Sequence, residues 1–233
     1  MATRERQTIA FVLYPGITLL DMVGPLQVFS VLQSFNDQYQ PVVVAERIEP
    51  MPTDTPLTVT ADKTFAEVPD PMVVIVPGGG APTIKAMGNE ALRGYLRRAA
   101  EASQVVGSVC TGAMVLAAAG LLEGRDATTH WSHHRLLERL GARYLPERWV
   151  EDGKVITSAG VAAGIDMALA LVARLTGEPT ARMVQLWIEY DPHPPFGGID
   201  WDQVDRDMAE PVVDQWVQTQ LADRPELLAR LRG

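Results

Sequence analysis

Three strand-length apolar runs each stop at a corner of small residues. Thr8 to Tyr14 ends at Pro15-Gly16, Met72 to Val76 at Pro77-Gly78-Gly79-Gly80, and Gln104 to Val109 at Cys110-Thr111-Gly112. Segments of helical period lie between the runs, and that alternation is the signature of βαβ units and a mostly parallel sheet. The pattern predicts an α/β fold with helices on both faces of the sheet. Gln40 to Ala45 reads as a further strand, and Leu57 to Thr60 with Phe65 as a hairpin excursion. Helices are expected from about Gly24-Pro25, over Asn89 to Ala102, Thr111 to Ala119, Val161 to Leu175 and Glu178 to Tyr190. Trp149 to Glu151 and Lys154 to Thr157 flank the turn Asp152-Gly153. Open α/β sheets hold ligands at the carboxyl ends of their strands, so the three corners are where a site is expected.

At 233 residues the chain can bury a full core, and no linker divides it, so residues 1–233 are expected to form one domain. A helical extension is expected from about residue 199 to 233. The formal net charge of −9, with no local Lys/Arg cluster, disfavours nucleic acid and anionic membrane as partners. Met1 to Gln7 is charged and precedes only a short apolar run, which fits neither a signal peptide nor a membrane anchor. One cysteine excludes an internal disulfide and a zinc cluster of cysteines. The simplest reading is a cytoplasmic protein.

That one cysteine, Cys110, occupies the third corner, between an apolar strand and a small-residue helix. The pattern fits a nucleophile elbow, in which a sharp turn lifts the side chain towards backbone N–H groups and the helix end favours thiolate. The alternative is a buried cysteine serving as a small hydrophobe. Asp21, set among apolar residues on the first corner, either caps the next helix or stands as a partly desolvated carboxylate able to exchange protons with Cys110. Gly78, Gly79 and Gly80 suit either an oxyanion site of backbone N–H groups or a tight turn. Their spacing is not that of a dinucleotide fingerprint.

Four histidines remain to be placed. His130, at a strand-to-helix junction, either faces the pocket or holds a loop by hydrogen bonding. His133 and His134 fall in the amphipathic segment Ser132 to Leu140 and read as surface or core-edge residues, and His193 sits in a rigid proline-rich connector. No carboxylate at supporting spacing accompanies the first three, which argues against a metal site.

The ordered blocks DMVGP, VIVPGGG, GSVCTGA, ATTHW and TSAGVAAGIDMAL resemble the ThiJ/PfpI superfamily over roughly Thr8 to Tyr190. The resemblance implies a flavodoxin-like parallel sheet of the class I glutamine-amidotransferase type. Chaperone-like, glyoxalase-like and peptidase-like members generally pair the cysteine with a glutamate and often a following histidine. Asp21 and Thr111 stand at those places here, the pattern of the isocyanide hydratases. The sensor-like domain of AraC-type transcription regulators shares most of the blocks but continues into helix-turn-helix units. The acidic helices up to Gly233 therefore favour the stand-alone enzyme, with the regulator domain or a glyoxalase-like or peptidase-like enzyme as alternatives. The resemblance implies that Cys110 attacks an isocyanide, Asp21 moves the protons, and Thr111 orients the intermediate through its backbone N–H or its hydroxyl. Gly78 and Gly79 would bind substrate through their N–H groups, with His130 also a candidate substrate contact, and Val161 would pack beside the cysteine. No metal or organic cofactor is implied, and a homodimer is; the small residues Ala162-Ala163-Gly164 would permit close packing. Ile199 to Gly233, with Trp201 and Trp216, is the least family-like stretch and would shape a dimer contact or the pocket mouth.

Overall fold

Strand β1 (Gln7–Val12) lies inside a seven-stranded sheet, where both its faces are covered and its last four residues are buried. The computed structural model describes residues 6–232; Met1 to Glu5 of the charged N-terminal stretch, and Gly233, lie outside them. The other strands of the sheet are β2 (Tyr39–Ala45), β5 (Lys63–Thr64), β6 (Val73–Val76), β7 (Val105–Val109), β10 (Trp149–Asp152) and β11 (Val155–Ser158), in the order β10-β11-β7-β6-β1-β2-β5. Every neighbouring pair is parallel except β10 with β11. The hairpin excursion becomes a small antiparallel ribbon of β3 (Met51–Pro52) and β4 (Thr58–Val59), and a second ribbon joins β8 (Asp126–Ala127) to β9 (Arg143–Tyr144) in parallel.

Register brings the three corners together. Phe11, Ile75 and Gly107 lie level across β1, β6 and β7. Three residues further along each strand stand Tyr14, Gly78 and Cys110, so residues far apart in sequence leave the sheet side by side.

Two layers of helices cover the sheet. On one face, α1 (Leu19–Phe35) packs with α6 (Ala163–Thr176) and α7 (Glu178–Trp187). On the other, α2 (Gly80–Met87) packs with α4 (Gly112–Ala118) and with α8 (Glu210–Gln220), joined by α3 (Glu90–Ala102), α5 (His134–Arg139) and α9 (Pro225–Arg232). Phe11 meets Phe29 of α1 edge-on at 6.0 Å between centroids, and both are fully buried. Emptying such a site costs about 3–5 kcal/mol. Among the described residues no helix is long and apolar enough to cross a membrane.

Two expectations about helices need correction. Helix α1 starts at Leu19, ahead of Gly24-Pro25, because Asp54 from a distant loop accepts the Leu19 N–H at 2.9 Å and satisfies the first turn. Helix α2 was not expected after the glycines. Pro82 falls in its first turn, where a missing N–H has no intrahelical partner to lose. The small residues of α6 are used within the chain: Ala163 is buried, and a Cβ on Gly164 would meet Val109 at 2.8 Å.

Candidate active site

Cys110 follows β7 directly and has φ +55, a left-handed conformation that is unusual for any residue but glycine. Its surroundings impose this. The Cys110 N–H donates to Ser158 and Ala159 carbonyls at 3.1 and 3.2 Å, and the Thr129 hydroxyl donates to the Cys110 carbonyl at 2.9 Å. A Cβ on Gly112 would lie 2.1 Å from the Val76 carbonyl oxygen, so glycine alone permits the turn into α4. The backbone N–H groups of Thr111 and Val161 lie near enough to the Cys110 sulfur to favour its anion.

Asp21 belongs to the first turn of α1 yet does not cap it. The carboxyl is fully buried, and Oδ2 accepts the Gly78 N–H at 2.9 Å. Oδ1 is buried with no hydrogen-bond partner, and the Cys110 thiol is the other side chain that acts on the carboxyl. Burial raises the Asp21 pKa to about 7, with the bonds from Gly78 and Cys110 offsetting part of the desolvation.

The thiol is not a preformed thiolate, contrary to the expectation from the helix end. Burial, and then the negative charge of Asp21, push Cys110 well above the ordinary thiol range, and the N–H groups of Thr111 and Val161 recover only part of this. Helix α4 has seven residues, too short for its dipole to outweigh the loss of water around a side chain 5% exposed. Cys110 and Asp21 therefore behave as one unit holding a shared proton near neutral pH.

The glycine corner also differs from expectation. The Gly78 N–H is committed to Asp21, and the Gly79 N–H donates to Thr111 Oγ1 at 2.9 Å, so neither is free for substrate. The Thr111 hydroxyl donates to Thr83 Oγ1 at 3.2 Å and is likewise unavailable to an intermediate. Tyr14 donates to the Pro77 carbonyl at 2.7 Å, which leaves Thr83 as the donor to Tyr14 Oη at 2.8 Å. The result is a one-directional chain, Gly79 to Thr111 to Thr83 to Tyr14 to Pro77, that locks the corner. Tyr14 and Thr83 went unnoticed in the sequence, although Tyr14 is the polar end of an apolar strand.

A cavity of about 330 Å³ opens beside Cys110, lined among others by Thr129, His130, Trp131, Tyr144, Val161 and Trp201. Cys110 does not itself line it, but the lining residues Ala159 and Thr129 bond its backbone N–H and carbonyl at 3.2 and 2.9 Å, and the N–H of Val161, also in the lining, favours the anion of the sulfur. Val161 thus adds a backbone donor to the steric role expected of it. The His130 ring lines the cavity, while Nδ1 lies 2.7 Å from Ser132 Oγ and accepts the Ser132 N–H at 3.4 Å. That assigns the neutral ring's proton to Nε2, and burial lowers the His130 pKa, keeping the ring neutral. A Cβ on Gly160 would come 2.3 Å from His130 Cδ2, so this glycine makes room for the imidazole. His133 is a correction: it is 3% exposed, and burial followed by the nearby His130 lowers its pKa to about 3. His134 sits at the core edge with Nε2 3.2 Å from Asp207, and His193 is exposed in its connector.

Trp201 reaches the cavity wall, whereas Trp216 of α8 is not in that wall and packs near His133 and Gly80. A larger cleft of about 440 Å³ runs between α2 and the α8–α9 turn, past Lys85, Asn89 and Arg224, but includes neither Cys110 nor Asp21. The smaller cavity does not include them either, but its lining residues Ala159 and Thr129 bond the Cys110 backbone, and none of the cleft's do.

The model of the DJ-1/PfpI family matches residues 7–174. The chain belongs to the DJ-1/PfpI family. Within it, the chain is 43% identical over 188 residues to an isonitrile hydratase of Pseudomonas putida, covering 81% of this chain and 80% of that one. It is 33% identical over 190 residues to an HTH-type transcriptional regulator of Rhizobium meliloti, covering 79% of this chain but 58% of the regulator. A ThiJ/PfpI family protein from Pseudomonas syringae has the same fold, with a TM-score of 0.82 at 32% identity, over 98% of this chain and 91% of that one. The parallel sheet and two helical layers described above are those of this DJ-1/PfpI neighbour.

Proposed function

We propose that the protein is an isocyanide hydratase, adding water to R–N≡C to give the formamide R–NH–CHO. The observation that carries this is the buried Asp21 carboxyl against the Cys110 thiol, with two backbone N–H groups on the sulfur. The 43% identity to an isonitrile hydratase supports the choice of substrate.

The reaction uses the pair as it stands. Cys110 adds through sulfur to the isocyanide carbon while Asp21 accepts the thiol proton and delivers it to that carbon, giving the thioimidate R–N=CH–S–Cys. No preformed thiolate is required, since S–H adds in net across the carbon. A carboxyl with a pKa of about 7 is partly ionised near neutral pH, so it can accept the thiol proton as the S–C bond forms and then give it up. The Thr111 and Val161 N–H groups stabilise charge developing on sulfur. Asp21 then takes a proton from water as the oxygen bonds to the thioimidate carbon and passes that proton to the nitrogen, giving R–NH–CH(OH)–S–Cys, whose hydroxyl proton is the one returned on collapse. Collapse of that adduct breaks the C–S bond, releases the formamide and returns the proton to the Cys110–Asp21 pair. The isocyanide and one water account for every atom of the formamide, with the proton of the Cys110–Asp21 pair borrowed and returned, and no cofactor enters.

The test is turnover of para-nitrophenyl isocyanide to its formamide by the wild type, with loss in Cys110→Ala and Asp21→Asn. A protein that binds such a ligand without consuming it would instead have the sensing role suggested by the regulator relative. We place the enzyme in the cytoplasm as one domain with its C-terminal helices. We also assign it as a homodimer: Leu186 and Trp187 of α7 are 72% and 68% exposed, with Trp187 against Phe35 of α1, an apolar face that a second copy would cover. Light scattering showing a monomer would remove the dimer.

A further inference from the structure

The cavity beside Cys110 carries a cation that no acidic side chain neutralises. Arg206 is half-buried in its wall; Nη1 donates to the Tyr144 hydroxyl at 3.0 Å, and Cζ lies 4.8 Å from the centroid of the Trp201 ring. Among the described residues, no carboxylate is paired with it. The neighbouring acids are turned elsewhere: Asp205 accepts the Asp207 N–H at 3.0 Å, and Asp207 is paired with Arg135 and His134. Arg148, the other arginine of the wall, is spent on Asp166. Glu147 also lines the cavity and forms no ion pair with either arginine.

A guanidinium has five N–H donors in a planar fork that matches a carboxylate, and ordering it in advance lowers the entropy lost on binding. Arg206 is so ordered, with a tyrosine on one N–H and an indole under its plane. Partial burial strengthens the interaction with an anion relative to one at the open surface. Trp131, Tyr144 and Trp201 supply flat apolar walls for an aromatic ring, and about 330 Å³ holds a substituted benzene.

We propose that this cavity selects isocyanides whose nitrogen substituent is an aromatic ring bearing a carboxylate, the ring lying among Trp131, Tyr144 and Trp201 and the carboxylate on Arg206. The isocyano end rests on the hydratase reading; the carboxylate end rests on Arg206. Glu147 then sets the opposite sign on the same wall and disfavours misplaced anions.

The experiment compares kcat/KM for 4-isocyanobenzoate and phenyl isocyanide in the wild type, Arg206→Gln and Arg206→Lys. The wild type favours the carboxylate on the order of tenfold or more. That ratio falls towards one in Arg206→Gln and lies between in Arg206→Lys, which keeps the charge but loses the fork. A wild-type ratio near one, or a ratio unchanged in Arg206→Gln, overturns the inference. If neither isocyanide is hydrated, the hydratase reading fails, and calorimetry with 4-formamidobenzoate and formanilide decides the rest. Tighter binding of the carboxylate that is lost in Arg206→Gln upholds the role of Arg206. Equal binding, or none, overturns it.

Discussion

The Asp21 carboxyl lies against the Cys110 thiol while its Oδ2 holds the Gly78 N–H at 2.9 Å, so one acid joins all three corners of the sheet. Helix α1, the glycine corner and the cysteine turn meet at this group, which is why its protonation governs both chemistry and stability.

For activity, kcat/KM is expected to rise with pH through about 7, as the Asp21–Cys110 pair loses the first of its two protons. Asp21→Asn should remove that limb and lower turnover by roughly 10²–10⁴-fold. A limb that persists in Asp21→Asn would assign the titration to another group.

For stability, the sign is opposite to that of an ordinary salt-bridged acid. Asp21 titrates at about 7 in the folded protein against an ordinary 3.8, so the folded state binds more protons between these values and stability falls as pH rises through them. Asp21→Asn avoids burying the charge. Its stability relative to wild type should therefore improve from pH 5 to pH 8, by at most about 3 kcal/mol, because only the interval from pH 5 to the folded value of about 7 contributes, at 1.36 kcal/mol per tenfold change in acidity. Melting curves at the two pH values measure this; an equal difference at both would show that Asp21 ionises freely.

Cys110 in the free protein should show no thiolate absorbance at neutral pH and should react slowly with iodoacetamide, because burial and Asp21 both hold the proton on sulfur. Rapid alkylation at pH 7 would reverse this assignment.

Thr111 separates positioning from chemistry. Thr111→Val keeps the backbone N–H near the sulfur but breaks the chain from Gly79 to Thr83, leaving the buried Gly79 N–H without an acceptor at a cost of about 1–3 kcal/mol. Thr111→Ser should restore stability, and both variants should keep far more activity than Asp21→Asn. Inactivity of Thr111→Ser with a normal melting temperature would contradict the positioning role.

Gly160→Ala places a methyl where the His130 ring stands and should destabilise by about 1–3 kcal/mol while reshaping the cavity. The double variant with His130→Ala should recover much of that loss, since the clash is with the ring itself. Additive losses in the double-mutant cycle would locate the strain elsewhere.

Local chemistry marked the strands, the three corners and the candidate pair Asp21 and Cys110, because apolar runs ending in glycine or a lone polar residue carry their meaning within a few positions. Backbone commitments were not legible. Gly78 and Gly79 look alike as free N–H donors in the sequence, and only the register of β1, β6 and β7 shows that Asp21 and Thr111 occupy them. The start of α1 depended on Asp54, which the turn before Leu57 brings to the helix end. His133 reads as a core-edge residue until α8 covers it with Trp216. Arg206, Tyr144 and Trp201 share no motif; they meet because the C-terminal segment returns across the second ribbon. The sequence by itself determined the alternation of strand and helix and singled out the candidate reacting groups, which depend on short-range pattern. The tertiary structure alone decided the proton's position, the donors left on sulfur and the charge in the cavity, because burial and pairing arise between residues that only the fold brings together.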